Sequence, residues 1–265
     1  MWGPLVWDLL ALTARACDDL PPDPPERRMG PRRHATRAFV MLAYALRHVL
    51  PCSFCRTSYR HYIEDTPPAE FVVGSDEAAV AAAAESFCAD DGVDEAGAVY
   101  RSQIEAADRA PPTLLDWVWI MHDRVNCKLG VSNMLTRRRF RKRMRVTTAL
   151  MHPADVWDML TIVALNYVVE PPSDAEDPEQ HAKRTGHAVF LGALERLLPL
   201  VPDLGTLSPY VEPRRALAVG ALSTRALMVA WVRAEKRRWM RDTGADQALC
   251  ARMLAAESAY MASVA

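Results

Sequence analysis

The chain has 265 residues, half of them hydrophobic and a quarter charged, with a formal net charge of −1. That length can bury a proper core as one large domain or two small ones, and the near-neutral balance gives no global reason to expect a nucleic-acid partner. Six cysteines are too sparse for a disulfide-stapled secreted scaffold, so chemistry at the one close pair is the economical expectation.

The chain opens on Trp2-Gly3-Pro4-Leu5-Val6-Trp7, and apolar residues continue through Leu9, Leu10 and Leu12. No basic segment precedes them and Asp8 interrupts the run, so a signal peptide is not expected. No apolar stretch approaches bilayer length, which predicts no membrane span and an intracellular, non-secreted protein. Pro21 to Arg33, rich in proline and charge, reads as a loop. Phe39, Leu42, Leu46, Val49 and Leu50 then recur at three-and-four spacing, the stripe of a helix running into Pro51.

Directly after that helix comes Leu50-Pro51-Cys52-Ser53-Phe54-Cys55-Arg56. Two thiols two residues apart can close a short disulfide. At the start of a helical turn, free backbone N–H groups and the helix dipole stabilise a thiolate, and Arg56 adds positive charge. The pattern outlines dithiol redox chemistry. Half of a tetrahedral zinc site, completed by His48 or His61 in a helical interaction module, is the alternative from another class. A thioredoxin-type site belongs at a strand-to-helix junction, and no period-two runs are present.

Glu64 to Pro112 contains an Ala-rich stretch that reads as one or two peripheral helices. Leu115, Val118, Met121 with His122, Val125 and Leu129 predict the next helix, ending at Gly130. On it Trp119, His122 and Asn126 fall at i, i+3 and i+7, so an indole, an imidazole and an amide share a face that can stack on a flat ligand and bond its edges. Lys128 follows, able to reach a phosphate or ribose from the flank. The basic run Arg137 to Arg145 reads as a solvated helix face or domain connector ahead of a nucleic-acid or phosphate patch. Pro171 to Glu179 reads as a second loop, and Leu217, Leu222, Ala226, Val229 and Val232 continue the helical habit.

A weak internal repeat runs through the chain. Val6-Trp7-Asp8-Leu9-Leu10 returns as Val156-Trp157-Asp158-Met159-Leu160, and Ala45 to Pro51 returns as Ala193 to Pro199. Leu115-Asp116-Trp117-Val118 is echoed by Val229-Ala230-Trp231-Val232. The shared order suggests duplication of a helical unit whose second copy lacks the thiols. The expected division is residues 1–146, carrying the Cys-x-x-Cys, and residues 147–265, a degenerate structural repeat.

Together, Trp-Gly-Pro-x-x-Trp, Leu-Pro-Cys-x-x-Cys-Arg and Trp-x-x-x-x-His-x-x-x-Asn-x-Lys-Leu-Gly resemble the Erv/ALR family of FAD-linked sulfhydryl oxidases, over roughly the first half of the chain. The duplicated arrangement is similar to the pseudo-dimeric oxidases of large DNA viruses, the baculoviral type in particular. The resemblance implies an all-α bundle cradling FAD, and electron transfer from protein dithiols through Cys52 and Cys55 to FAD and then to molecular oxygen, giving a disulfide and hydrogen peroxide. It makes Cys52 the thiol that exchanges with substrate and Cys55 the flavin-proximal thiolate. Trp7, Trp119, His122, Val125, Asn126 and Lys128 are then the FAD-binding residues. It also implies a viral protein working in host cytoplasm or nucleus, or within the virion, and leaves room for a homodimer. Leu10 and Ala11 stand where the family has a histidine, Asp123 where it has an asparagine, and Trp119 where a cysteine is usual. No second Cys-x-x-Cys is present, so Cys17, Cys88, Cys127 and Cys250 are expected to be packed thiols.

Overall fold

The computed structural model describes residues 3–24, 30–72, 113–131, 135–146, 151–172 and 177–262, and among these every regular element is a helix. The all-α class is thus observed. Helix α1 (Gly3–Asp18) buries Val6, Leu9, Leu10, Ala14 and Cys17. Helix α2 (Pro31–Val49) buries Phe39, Leu42, Leu46 and Val49, the stripe that the sequence spacing predicts.

Part of the expected Pro21–Arg33 loop belongs to α2. Pro31 sits in its first turn, where a fixed φ and a missing N–H cost nothing. The Asp23 carboxylate accepts from the backbone N–H groups of Arg32 and Arg33 at 3.1 and 2.9 Å, capping the helix from outside it. That approach requires glycine at Gly30, where a Cβ would lie 2.0 Å from Asp23 Oδ1.

Helix α3 (Ser53–Asp65) follows Pro51, and a 3₁₀ turn at Pro68–Phe71 buries Phe71. The rest of the Ala-rich segment, Cys88 included, and Trp2 lie outside the described residues. Helix α4 (Leu114–Lys128) starts on a Thr113/Asp116 capping box, and Gly130, at φ +68°, stops it as predicted. Helix α5 (Arg137–Val146) carries the basic run. Helices α6 (Pro153–Leu165) and α7 (Pro178–Leu197) come next, then α8 (Pro213–Ala218), α9 (Arg225–Thr243) and α10 (Gln247–Ala262).

The stripe read from Leu217 to Val232 is not one helix. Gly220, at φ +68°, turns the chain after α8, and Thr224 restarts it by accepting from the Leu227 N–H at 3.3 Å. Leu217 is therefore exposed, while Val229 and Val232 face the core of α9.

The core runs unbroken through both halves of the chain. Helix α2 lies along α7 as the central pair. Beside it α1 packs against α4 and α6 against α9, and α1 also touches α6. No described helix is long and apolar enough to cross a membrane.

Candidate active site

Helices α1, α3, α4 and α5 enclose a cavity of about 590 Å³, mostly apolar, within the size range of small-molecule and cofactor sites. Six of the residues singled out from sequence line it: Trp7, Cys55, His122, Val125, Asn126 and Lys128. They come from three segments that only the fold brings together. The Trp7 indole and His122 imidazole have ring centroids 5.1 Å apart, inclined at 60°. Burial, with help from Arg143, holds the His122 imidazole below its ordinary range, so the ring is neutral at physiological pH.

Trp119 is placed elsewhere. It is buried, does not line the cavity, and donates its indole N–H to Leu135 O at 2.8 Å. Leu135 does line the cavity, so Trp119 holds the wall rather than facing its contents. Of the three residues that helical spacing puts on one face, His122 and Asn126 reach the cavity and Trp119 packs behind Leu135.

Cys52 caps α3: its Sγ accepts from the Cys55 N–H at 3.2 Å. Cys55 packs against the core and lines the cavity, whereas Cys52 lies outside the lining. Hydrogen bonding from the Cys55 thiol, aided by the Phe54 and Cys55 N–H groups and by Arg56, holds the Cys52 thiol below its ordinary range. Burial and the neighbouring Cys52 push the Cys55 thiol up to about 11. In the dithiol by itself the protein's own groups therefore favour charge on Cys52. The helix N-terminus serves the cap position, and Cys55 lies one turn inside it.

Phe54, between the two cysteines, is 66 % exposed. Lys128 Nζ sits 4.4 Å from its ring centroid and donates to Ser58 Oγ at 2.7 Å, tying α4 to α3 beside the thiols.

The basic run supplies what the motifs missed. Arg137 and Arg141 both clamp the buried Asp116 carboxylate, with Arg137 contacts at 2.8 and 2.7 Å. Burial pushes that carboxyl up, but the two guanidinium hydrogen bonds outweigh it and hold it below the usual carboxylate range. The clamp seats α5 so that Phe140 and Met144 are buried at the cavity edge and Arg143 lines its mouth. An i, i+4 apolar pair inside an arginine run was the available signal. Two of the cations are thus structural, neither solvated decoration nor a nucleic-acid patch.

The remaining described cysteines are packed. Cys17 is buried, its thiol pushed up to about 12 by burial, and Cys127 and Cys250 rest half-buried against the core. Among the described residues no three His, Cys, Asp or Glu side chains converge as a metal site, so the Cys52–Cys55 pair gains no further zinc ligand there.

The cavity therefore offers aromatic walls, a neutral imidazole, an amide, two flanking cations and one edge thiol. Asp8 is its single carboxylate among the described lining residues, and burial raises that carboxyl toward the neutral acid. Such a donor set suits a flat aromatic group carrying phosphates. No protein-family model, curated protein or solved structure matches this chain.

Proposed function

We propose that the protein is an FAD-dependent dithiol oxidase of the Erv/ALR kind. The observation that carries this reading is that Cys55 of the Cys-x-x-Cys lies in the wall of the cavity that Trp7, His122 and Asn126 also line, although these residues are far apart in sequence. The cavity residues fit FAD: Trp7 and Phe140 offer ring faces, Asn126 and His122 edge hydrogen bonds, and Lys128 and Arg143 charge for the pyrophosphate.

The protein's own chemistry starts from the Cys52–Cys55 disulfide. A client thiolate attacks Cys52 Sγ, the intramolecular S–S bond breaks, and Cys55 leaves as a thiolate that takes a proton. The second client thiolate attacks the mixed disulfide, releasing Cys52 as its stabilised thiolate and the client as a disulfide. Two electrons then reside in the Cys52–Cys55 dithiol. FAD, when bound, would supply the acceptor for this pair and its transfer, with two protons, to oxygen as hydrogen peroxide. The protein's part is to hold Cys55 at the cavity wall and keep Cys52 outside the lining.

The same reading takes residues 147–265 as a repeat of the first bundle without thiols, forming a pseudo-dimer, and places the protein in a virus-infected cell, acting on intracellular or virion proteins. Packing of α1 on α4 and of α6 on α9, about a central α2–α7 pair, is what supports the repeat.

The test is the visible spectrum of purified, desalted protein, then oxygen uptake with dithiothreitol. A flavin spectrum that bleaches anaerobically with dithiol and recovers in air is expected, with turnover lost in both Cys52→Ala and Cys55→Ala. A protein that neither carries nor takes up FAD would sink the reading.

A further inference from the structure

Basic side chains gather on the surface beside Cys52, where a client must approach. From the cap residue Cys52, Arg56 and Arg60 follow at i+4 and i+8 along one stripe of α3, a stripe that ends on exposed Glu64 at i+12. Arg56 is fixed there: it donates to Leu50 O at 2.7 Å and to Pro51 O at 3.2 Å, holding its guanidinium against the turn that leads into Cys52.

The second half of the chain adds to the same rim. Helix α7 lies so close on α2 that a Cβ at Gly186 would come within 2.6 Å of His48 Cβ. This approach brings Lys183, less than one turn before Gly186, into the field of Arg56 and Arg225. With burial as the larger cause, those charges hold the Lys183 ammonium below its ordinary range. His48 is likewise lowered, by burial first and then by Arg47, Arg60 and Arg56. Glu179 is the carboxylate whose field opposes them at both groups. The whole chain carries −1, so this is local segregation of charge and not a basic protein.

We propose that this rim is a docking surface for acidic protein segments, so that the clients oxidised at Cys52 carry their cysteines among Asp and Glu residues. The inference rests on the dithiol-oxidase reading and names its substrate class. A positive rim raises the local concentration of an anionic segment and speeds its encounter by tenfold or more at low salt. It also favours the thiolate form of the incoming client cysteine, the form that attacks. Exposed Phe54 lies beside Cys52 as an apolar rest for the client chain.

The test uses the full chain with FAD and three synthetic peptides, each with the same cysteine pair flanked by Asp, Ser or Lys. Oxygen uptake is compared with that on dithiothreitol. A second measurement needs no turnover: a single-cysteine version of each peptide, activated as a mixed disulfide with thionitrobenzoate, is mixed with reduced protein. The Cys52-dependent release of thionitrobenzoate is the difference from Cys52→Ala. The Asp peptide should react about tenfold faster than the Ser peptide and the Lys peptide slowest, with the spread collapsing at about 0.5 M salt. Arg60→Glu and Lys183→Glu should each shrink the Asp-to-Ser ratio. Equal rates for the three peptides in the exchange reaction would overturn the docking proposal even if dithiothreitol is oxidised. The expected ranking without any oxidation of dithiothreitol would leave the docking surface standing and remove the oxidase reading.

Discussion

The two helix pairs that flank the centre of this molecule differ in what lies between them. Between α1 and α4 the echoed tryptophan, Trp7, is half-buried and faces the cavity beside His122. Between α6 and α9 its counterpart Trp157 is fully buried, 6.4 Å from the Trp239 ring. His122 stands five residues after Trp117, and the residue five after Trp231 is Lys236. That lysine is fully buried, donating at 3.0 Å to both Met253 O and Glu257 Oε2 of α10. Helix α10 packs on α6 and sets Met253 and Glu257 into the core, whereas α5, clamped by Asp116, only edges its cavity. Whether such a helix pair encloses a ligand site or a filled core depends on what the next helix inserts, because a void lined by side chains without contents is costly.

Truncating the two tryptophans should separate the two sides of the molecule most clearly. Trp157→Ala should cost about 3–5 kcal/mol, since it empties a closed core. Trp7→Ala should cost under about 2 kcal/mol and, on the proposed function, weaken flavin binding. Urea unfolding of both variants, with flavin titration alongside, decides it; equal stability losses would mean that the Trp7 side of the molecule is a filled core too.

Asp116→Asn should destabilise by about 3 kcal/mol, because two guanidinium groups lose their carboxylate and α5 is set loose from the cavity edge. The pH dependence has a definite sign. The folded-state pKa of Asp116 lies below its ordinary value of 3.8, so its stabilisation is complete above that value and is lost as pH falls through the folded pKa. Wild-type protein should therefore lose this contribution in strong acid, and the variant should show a flatter acid limb in thermal melts.

On the other side, Glu257→Ala should cost about 2 kcal/mol, less than an unrelieved buried charge, because Lys236 keeps the Met253 carbonyl. Denaturant curves of this variant should fall while the reactivity of the Cys52–Cys55 dithiol is unchanged. The smallest effect concerns the thiols. Alkylation of reduced protein by iodoacetamide, mapped by mass spectrometry across pH, should modify Cys52 at lower pH than Cys55. Cys55 reacting first would return the stabilised charge to the inner position.

Much of this was open to reading in the chain itself. The three-and-four spacing of Phe39, Leu42, Leu46 and Val49 specifies a buried stripe, Gly130 a helix stop, and Pro51 followed by the two thiols a helix start. These are local properties: a period, a forbidden dihedral, a missing N–H, each acting within one or two turns. So were the all-helical class and the grouping of His122 and Asn126 on one face. What periodicity cannot carry is which faces meet. Trp119 and His122 occupy neighbouring places on α4, yet one braces Leu135 and the other joins Trp7. Arg137 and Arg141 look like solvated charge until Asp116 is placed beneath them. The order of the two thiols depends on which of them the core covers. Those outcomes come from contacts between segments distant in sequence, fixed by side-chain volume and desolvation once the helices pack, and only the tertiary structure decides them.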